Sequence, residues 1–232
     1  MTIPASTNNA YRAIDMAHRD AGLLARGVEL DSDQIGDGLQ RLNDMVNLWQ
    51  TQGLKLFMLE DLAVTLTAAT ALYTFGLAGT AVMAKPMRVI DAYLVDSSGS
   101  RIPLRPLSWE EYTKINNSTT EGQPNGYFVD KQALLLKVRL WPTPGTAEAA
   151  IYTLHLILQK QIDNFVPFTQ DSAFPQEWFI ALRWGLADEL ASGQPQAIMD
   201  RCEKRAIAYR TALEDWDVED APTFFSPEIR RG

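Results

Sequence analysis

The chain is poor in the residues that most often carry chemistry: it has one cysteine, Cys202, and two histidines, His18 and His155, in 232 residues. A single cysteine excludes an internal disulfide framework and suits a reduced compartment. The histidines stand at no spacing that marks a metal or acid-base site, and no metal or cofactor is expected. There is no G-x-S-x-G, H-E-x-x-H, phosphate-cradling glycine loop or dinucleotide fingerprint. Lysine and arginine are outnumbered, 21 against 29 acids for a net charge of -8, and nowhere cluster into a face for duplex DNA. The first nine residues, Met-Thr-Ile-Pro-Ala-Ser-Thr-Asn-Asn, lack the basic patch and apolar run of a secretory signal, so folding is expected in the cytoplasm where the chain is made.

Apolar content is high enough, at 46%, for a substantial core. The uncharged stretch from Leu62 to Ala84 is long enough to span a bilayer, but five threonines, two glycines and Tyr73 dilute it. Its opening, Leu62-Ala-Val64-Thr-Leu66-Thr, alternates with period two, so a half-buried strand is expected there and no membrane span.

The order along the chain is helices, then a β region, then helices. Ala10, Ile14, Ala17, Ala21 and Leu24 form a helical stripe after an N-cap at Ser6 or Thr7. Asp31 and Gln34 make a capping-box pattern before a second stripe at Ile35, Leu39, Leu42, Val46 and Trp49, with Gly53 as C-cap. The pair is expected as an antiparallel hairpin. Strands are expected at Leu62 to Thr67, Leu72 to Phe75, Arg88 to Asp96, Tyr127 to Asp130, Leu134 to Trp141 and Ala150 to Gln159. Asp96-Ser-Ser-Gly99-Ser fits a hairpin turn, and Ser108-Trp-Glu-Glu111 is a second capping box that opens a short helix. After Pro175 one stripe runs through Phe179, Leu182, Leu186 and Leu190, and another through Ile198, Cys202, Ala206, Tyr209 and Leu213.

The expected fold class is therefore α+β, with N- and C-terminal helices forming a layer and a mainly antiparallel β region inserted between them. The expected divisions are an N-terminal hairpin at 1–57, the β-rich region with one short helix at 58–170, C-terminal helices at 171–218 packing on the N-terminal ones, and an extended tail at 219–232. Pro222 and Pro227 prevent a helix in that tail. Its Phe224, Phe225, Pro227 and Ile229 have no local core to enter and are the candidate partner-binding residues.

The remaining chemical candidates have plainer explanations. His18 is expected on a helix surface and His155 on a strand face. Cys202 lies on an apolar stripe as a small buried hydrophobe. Glu110 and Glu111 cap a helix, and no second carboxylate can be placed opposite them as a glycosidase would need. Trp49, Trp178 and Trp184 fall in helices and Trp141 ends a strand, so no row of aromatics for sugar binding emerges. No catalytic residue is assigned.

Several segments, in this order and spacing, resemble the head-to-tail adaptor (tail accessory, or packaged-DNA stabilisation) family of short-tailed bacteriophages. They are Leu39 to Gly53, Tyr73-Thr-Phe-Gly76, Lys85 to Ile90, Leu107-Ser-Trp-Glu-Glu-Tyr112, Gln123 to Asp130, Leu140-Trp-Pro-Thr-Pro144, Phe174-Pro-Gln-Glu-Trp178 and Ala181 to Leu190. Where that family carries an acidic or proline-rich loop after the Tyr-Thr-Phe-Gly segment, this chain has the apolar run Leu77 to Ala84. The resemblance implies a non-enzymatic subunit at the neck of the virion, in a twelvefold ring of its own copies below the portal protein. Such a ring extends the channel through which genomic DNA passes without specific binding, and offers a platform to tail nozzle or fibre proteins. A neck protein of a long-tailed phage is the alternative with similar helical logic, but it usually lacks so large a β region. A virion-carried cell-wall hydrolase would need a catalytic constellation, and a carbohydrate-binding module would need exposed aromatics.

Overall fold

The computed structural model describes residues 9–52, 58–117, 119–162, 164–165 and 175–216. The chain divides into two units, Met1–Thr51 with Asn164–Gly232, and Gln52–Asp163.

In the helical unit, α1 (Ala10–Asp20) begins after Asn9, whose side chain accepts a hydrogen bond from the Arg12 amide at 2.9 Å. The N-cap is thus Asn9 and not Ser6 or Thr7, because an Asn carboxamide satisfies an orphan amide as well as a hydroxyl does. Ala10, Ile14, Ala17, Ala21 and Leu24 are buried as expected, joined by Ala13. Helix α2 (Ser32–Thr51) opens on the capping box, with Asp31 and Gln34 each bonding the other's amide. Its buried face runs through Leu42, Met45, Val46 and Trp49. The C-cap expected at Gly53 lies outside the described residues.

A 3₁₀ turn, Gln176–Trp178, leads into α5 (Phe179–Leu190). Ala181, Leu182, Trp184, Gly185, Leu186, Ala187 and Leu190 are all buried, which leaves almost no polar face. Accordingly α1, α2 and α6 (Gln196–Trp216) all pack on it, and the two N-terminal helices lean on α5 as well as on each other. Glycines let these helices approach closely. A Cβ at Gly185 would stand 2.7 Å from Met45 Sδ and 2.8 Å from Trp49 Cζ2, and one at Gly38 would stand 2.6 Å from Ile14 Cγ2. The end of α1 is clamped by Arg183, which bonds both carboxylate oxygens of Asp20. Arg201 bonds the Asp20 carbonyl. The stripe Ile198, Cys202, Ala206, Tyr209 and Leu213 of α6 is buried or half-buried, as its spacing predicts.

The other unit is a two-layer β sandwich. One sheet has the order β1-β9-β4-β5, formed by β1 (Leu59–Thr65), β9 (Thr153–Gln159), β4 (Arg88–Val95) and β5 (Arg101–Pro103). The other has the order β3-β2-β8-β7-β6, formed by β3 (Ala81–Val82), β2 (Leu72–Gly76), β8 (Leu136–Trp141), β7 (Gly126–Lys131) and β6 (Arg105–Leu107). Alternate residues of both face one core: Leu154, Leu156 and Leu158 with Ala92 and Leu94 from the first sheet, and Tyr73, Phe75, Leu136, Val138 and Leu140 from the second. The chain changes sheets at buried Leu104, whose amide bonds Ala92 of the first sheet while the next amide, of Arg105, bonds Asn125 beside the second. Pairing is antiparallel except at the two edges, β2 with β3 and β6 with β7. The turn after β4 is the expected hairpin, with Gly99 at φ 86° and the Asp96 carboxylate accepting the Ser98 and Ser100 amides.

The short helix α3 (Trp109–Thr113) forms with its complete capping box between Ser108 and Glu111. Another expectation fails at the start of β9. Ala150 and Ile151 belong to α4 (Thr146–Ile151) and not to a strand, since the alanine-rich stretch after Gly145 prefers a helix and β9 begins only at Thr153. Strands β3, β5 and β6, two or three residues long, are too short for alternation to reveal.

Two substitutions test this packing by chemical denaturation. Leu156→Ala removes a side chain with no exposure from the sandwich core and is expected to cost about 2–5 kcal/mol. Gly185→Ala should cost about 1–3 kcal/mol despite alanine's better helix propensity, because the Trp49 ring cannot give way without moving α2.

Candidate interaction surfaces

Cys202 is buried, its thiol pushed up by that burial, and it points at the Asp20 carbonyl. His18 is not on the helix surface as expected. It is 3% exposed under Gly38, with Nδ1 2.8 Å from the Ile14 carbonyl, because the glycine leaves room for the imidazole where a side chain would fill it. Glu110 and Glu111 serve α3 and its neighbours, pairing with Lys114 and Arg105. Among the described residues no group of three or more His, Cys, Asp or Glu could hold a metal ion, and no helix is long and apolar enough to cross a membrane.

His155 does lie on a strand face, and there the register builds a cluster that single-strand patterns cannot show. Ala63 and Tyr93 flank His155 on either side in the sheet, and Asp61 sits two residues from Ala63 on the same face. His155 Nδ1 lies 2.9 Å from Asp61 Oδ1, the Tyr93 hydroxyl donates to Asp61 Oδ2, and the Tyr93 and His155 rings stack at 5.0 Å. Arg101 covers the other contact of the Tyr93 ring at 5.0 Å. Burial works against the Asp61 carboxylate, but bonds from Tyr93 and His155 and the nearby positive charges outweigh it and hold the group below its ordinary range. The Tyr93 hydroxyl is raised by donating to that carboxylate. The cluster ties β1, β9, β4 and β5 together across the open face.

The apolar surface is the more informative feature. The run Leu77 to Ala84 holds the turn after β2 and β3 itself, and in it Leu77 is 82% and Val82 77% exposed; Leu134, in the turn before β8, is 83% exposed. Burial does not hold this tip. Thr74 Oγ1 accepts the Thr80 amide at 2.8 Å, Gly79 bonds the Gly76 carbonyl, and a Cβ at Gly79 would strike the Thr74 carbonyl at 2.5 Å. A fixed backbone thus keeps large apolar side chains in water, which is costly unless something covers them. A cavity of about 390 Å³ beside it is lined by Leu62, Val82, Met83 and the ion-paired Glu60 and Lys160. On the second sheet's outer side Tyr112 stacks on Phe128 at 4.9 Å, while Trp109 touches it edge-on and stays 66% exposed.

The helical unit has its own exposed apolar feature. Met45, Trp49 and Gly185 line a groove of about 180 Å³, and Leu48 (56% exposed) and Ile207 (58%) line it too. Asp188 and Glu189 also border it, and the Asp188 carboxyl sits above its ordinary range through burial and the charges of Glu203 and Glu189. Arg210 lies over the Trp49 ring at 5.2 Å and pairs with Glu214. The sequence carries a faint signal for this groove: Leu48 and Ile207 are apolar yet off the stripes of their helices. The expected partner-binding residues Phe224, Phe225, Pro227 and Ile229 lie outside the described residues.

The Asp61 cluster sets a pH dependence. A carboxyl lowered on folding contributes stability above its unfolded value, and that contribution fades as pH falls through the folded value. Asp61→Asn should therefore lower the denaturation midpoint at neutral pH, and the difference should begin to shrink as pH falls below about 4 and vanish only once pH has passed below the lower value the carboxyl has in the folded protein.

No curated protein matches the chain. A family model does, that of the SU10 adaptor protein, over residues 12–223, which takes in both units and every described element but the first residues of α1. The chain belongs to the SU10 adaptor protein family, a family of bacteriophage head-to-tail adaptors.

Proposed function

We propose that the protein is a non-enzymatic subunit of a ring, of twelve copies, that sits below the portal at the neck of the virion. The ring extends the DNA channel and presents a platform to the next tail component, a nozzle or fibre protein. The observation that carries this reading is the family match over nearly the whole chain. The exposed apolar tip at Leu77, Val82 and Leu134 and the groove at Leu48 and Ile207 support it, since copies placed head to tail need different, complementary surfaces on one subunit. The net charge of -8 suits a conduit, because a negative lumen repels phosphate and lets DNA slide. The segment 219–232, with Phe224, Phe225, Pro227 and Ile229, is the docking element of this reading.

Native mass spectrometry of the protein, alone and mixed with portal rings, tests it. A closed ring or a stoichiometric portal complex is the expected outcome, together with no retention of duplex DNA at physiological salt. A chain that stays monomeric and ignores portals overturns the reading. Removal of residues 219–232 should weaken assembly; unchanged affinity removes the tail from it.

A further inference from the structure

The groove beside α5 and the carboxyl-terminal segment of the chain match in chemistry. Its apolar lining includes Leu48, Trp49 and Ile207, and it is bordered by Asp188 and Glu189, while Arg210, the one cation of its lining, is paired with Glu214. Residues 224–231, Phe-Phe-Ser-Pro-Glu-Ile-Arg-Arg, carry three large apolar side chains and end in adjacent arginines, Arg230 and Arg231. Asp188 is crowded by Glu189 and Glu203, so a cation placed there relieves repulsion within the helical unit. The segment carries Pro222 and Pro227, residues that disfavour a helix, and a narrow groove takes a peptide in extended form.

The link between α6 and this segment decides whose groove it fills. Residues 217–223 can reach about 23 Å at roughly 3.3 Å each, enough to pass beyond the last turn of α6. Return to the same chain's groove would fold the link back along α6. That reversal would crowd Glu214, Asp215, Asp217, Glu219 and Asp220 together at the negative end of the helix dipole. Like charges at close spacing instead extend a link away from its anchor. We propose that residues 224–231 of one copy dock in the groove lined by Leu48, Trp49 and Ile207 of the next copy, with Arg230 and Arg231 toward Asp188 and Glu189. This rests on the reading that copies of the chain assemble side by side. Each copy then gives a tail and receives one, a heterologous contact that a ring can close.

Disulfide trapping in the full-length chain tests it. Leu48→Cys, at an exposed position, is combined with Phe225→Cys in the tail; the native Cys202 is buried and provides the control that should not crosslink. With diamide, at a concentration where the protein assembles alone or on portal rings, the double variant should give a ladder of covalent multimers. The two single variants mixed should give dimers of one of each. Charge reversal of Arg230 and Arg231 to Glu should slow trapping several-fold. A monomer closed on itself with no mixed dimer, or no disulfide at all, overturns the proposal. Native mass spectrometry of the same samples separates the two readings. A chain that assembles but does not crosslink loses this contact alone, and a chain that never assembles loses both.

Discussion

Helix α5 carries apolar or small residues around nearly its whole circumference, and a helix of that kind can exist in water only if neighbours cover it on every side. The rest of the helical unit follows from that demand. Helices α1, α2 and α6 are amphipathic and each supplies one apolar stripe. Because Gly185 and Gly38 remove side chains where helices meet, Trp49, Met45 and Ile14 press directly against neighbouring backbone. The clamp of Arg183 on Asp20 then ties the end of α1 to the same central helix. Residues from both ends of the chain thereby make one core, with more than a hundred residues between α2 and α5.

The inserted unit obeys the other periodicity. Leu154, Leu156 and Leu158 mark one face of β9, and their alternates Thr153, His155 and Ile157 mark the other. Closing the sandwich needs a chain that passes from one sheet to the other, and Leu104 does this while staying in the core. With the apolar faces turned inward, the outer face is left to polar work, and the Asp61, Tyr93, His155 network is its result. It joins neighbouring strands through side chains as the ladder does through backbone.

Function resides on surfaces. Backbone is fixed where side chains are not buried, as the Thr74, Gly76 and Gly79 bonds show beneath the exposed Leu77. In the helical unit Leu48 and Ile207 are exposed beside a groove whose floor belongs to the core.

Much of the architecture was legible in the sequence because it rests on local rules. Helical stripes, two capping boxes, the turn at Gly99 and the period of β9 are each decided by residues a few positions apart. Three-residue strands were not legible, since they form only because a partner strand is there, and Ala150 was misassigned where alanine's helix preference outweighed the alternation that follows. His18 looked like surface and is core because Gly38, twenty residues away, makes room for it. The cluster around Asp61 and the groove at Leu48 and Ile207 needed strand register and helix crossing, which depend on contacts between distant segments. The sequence by itself determined the longer helices and strands and most of the faces they bury; only the tertiary structure decided the shortest strands and which side chains meet, because meeting is set by packing across the chain and not by spacing along it.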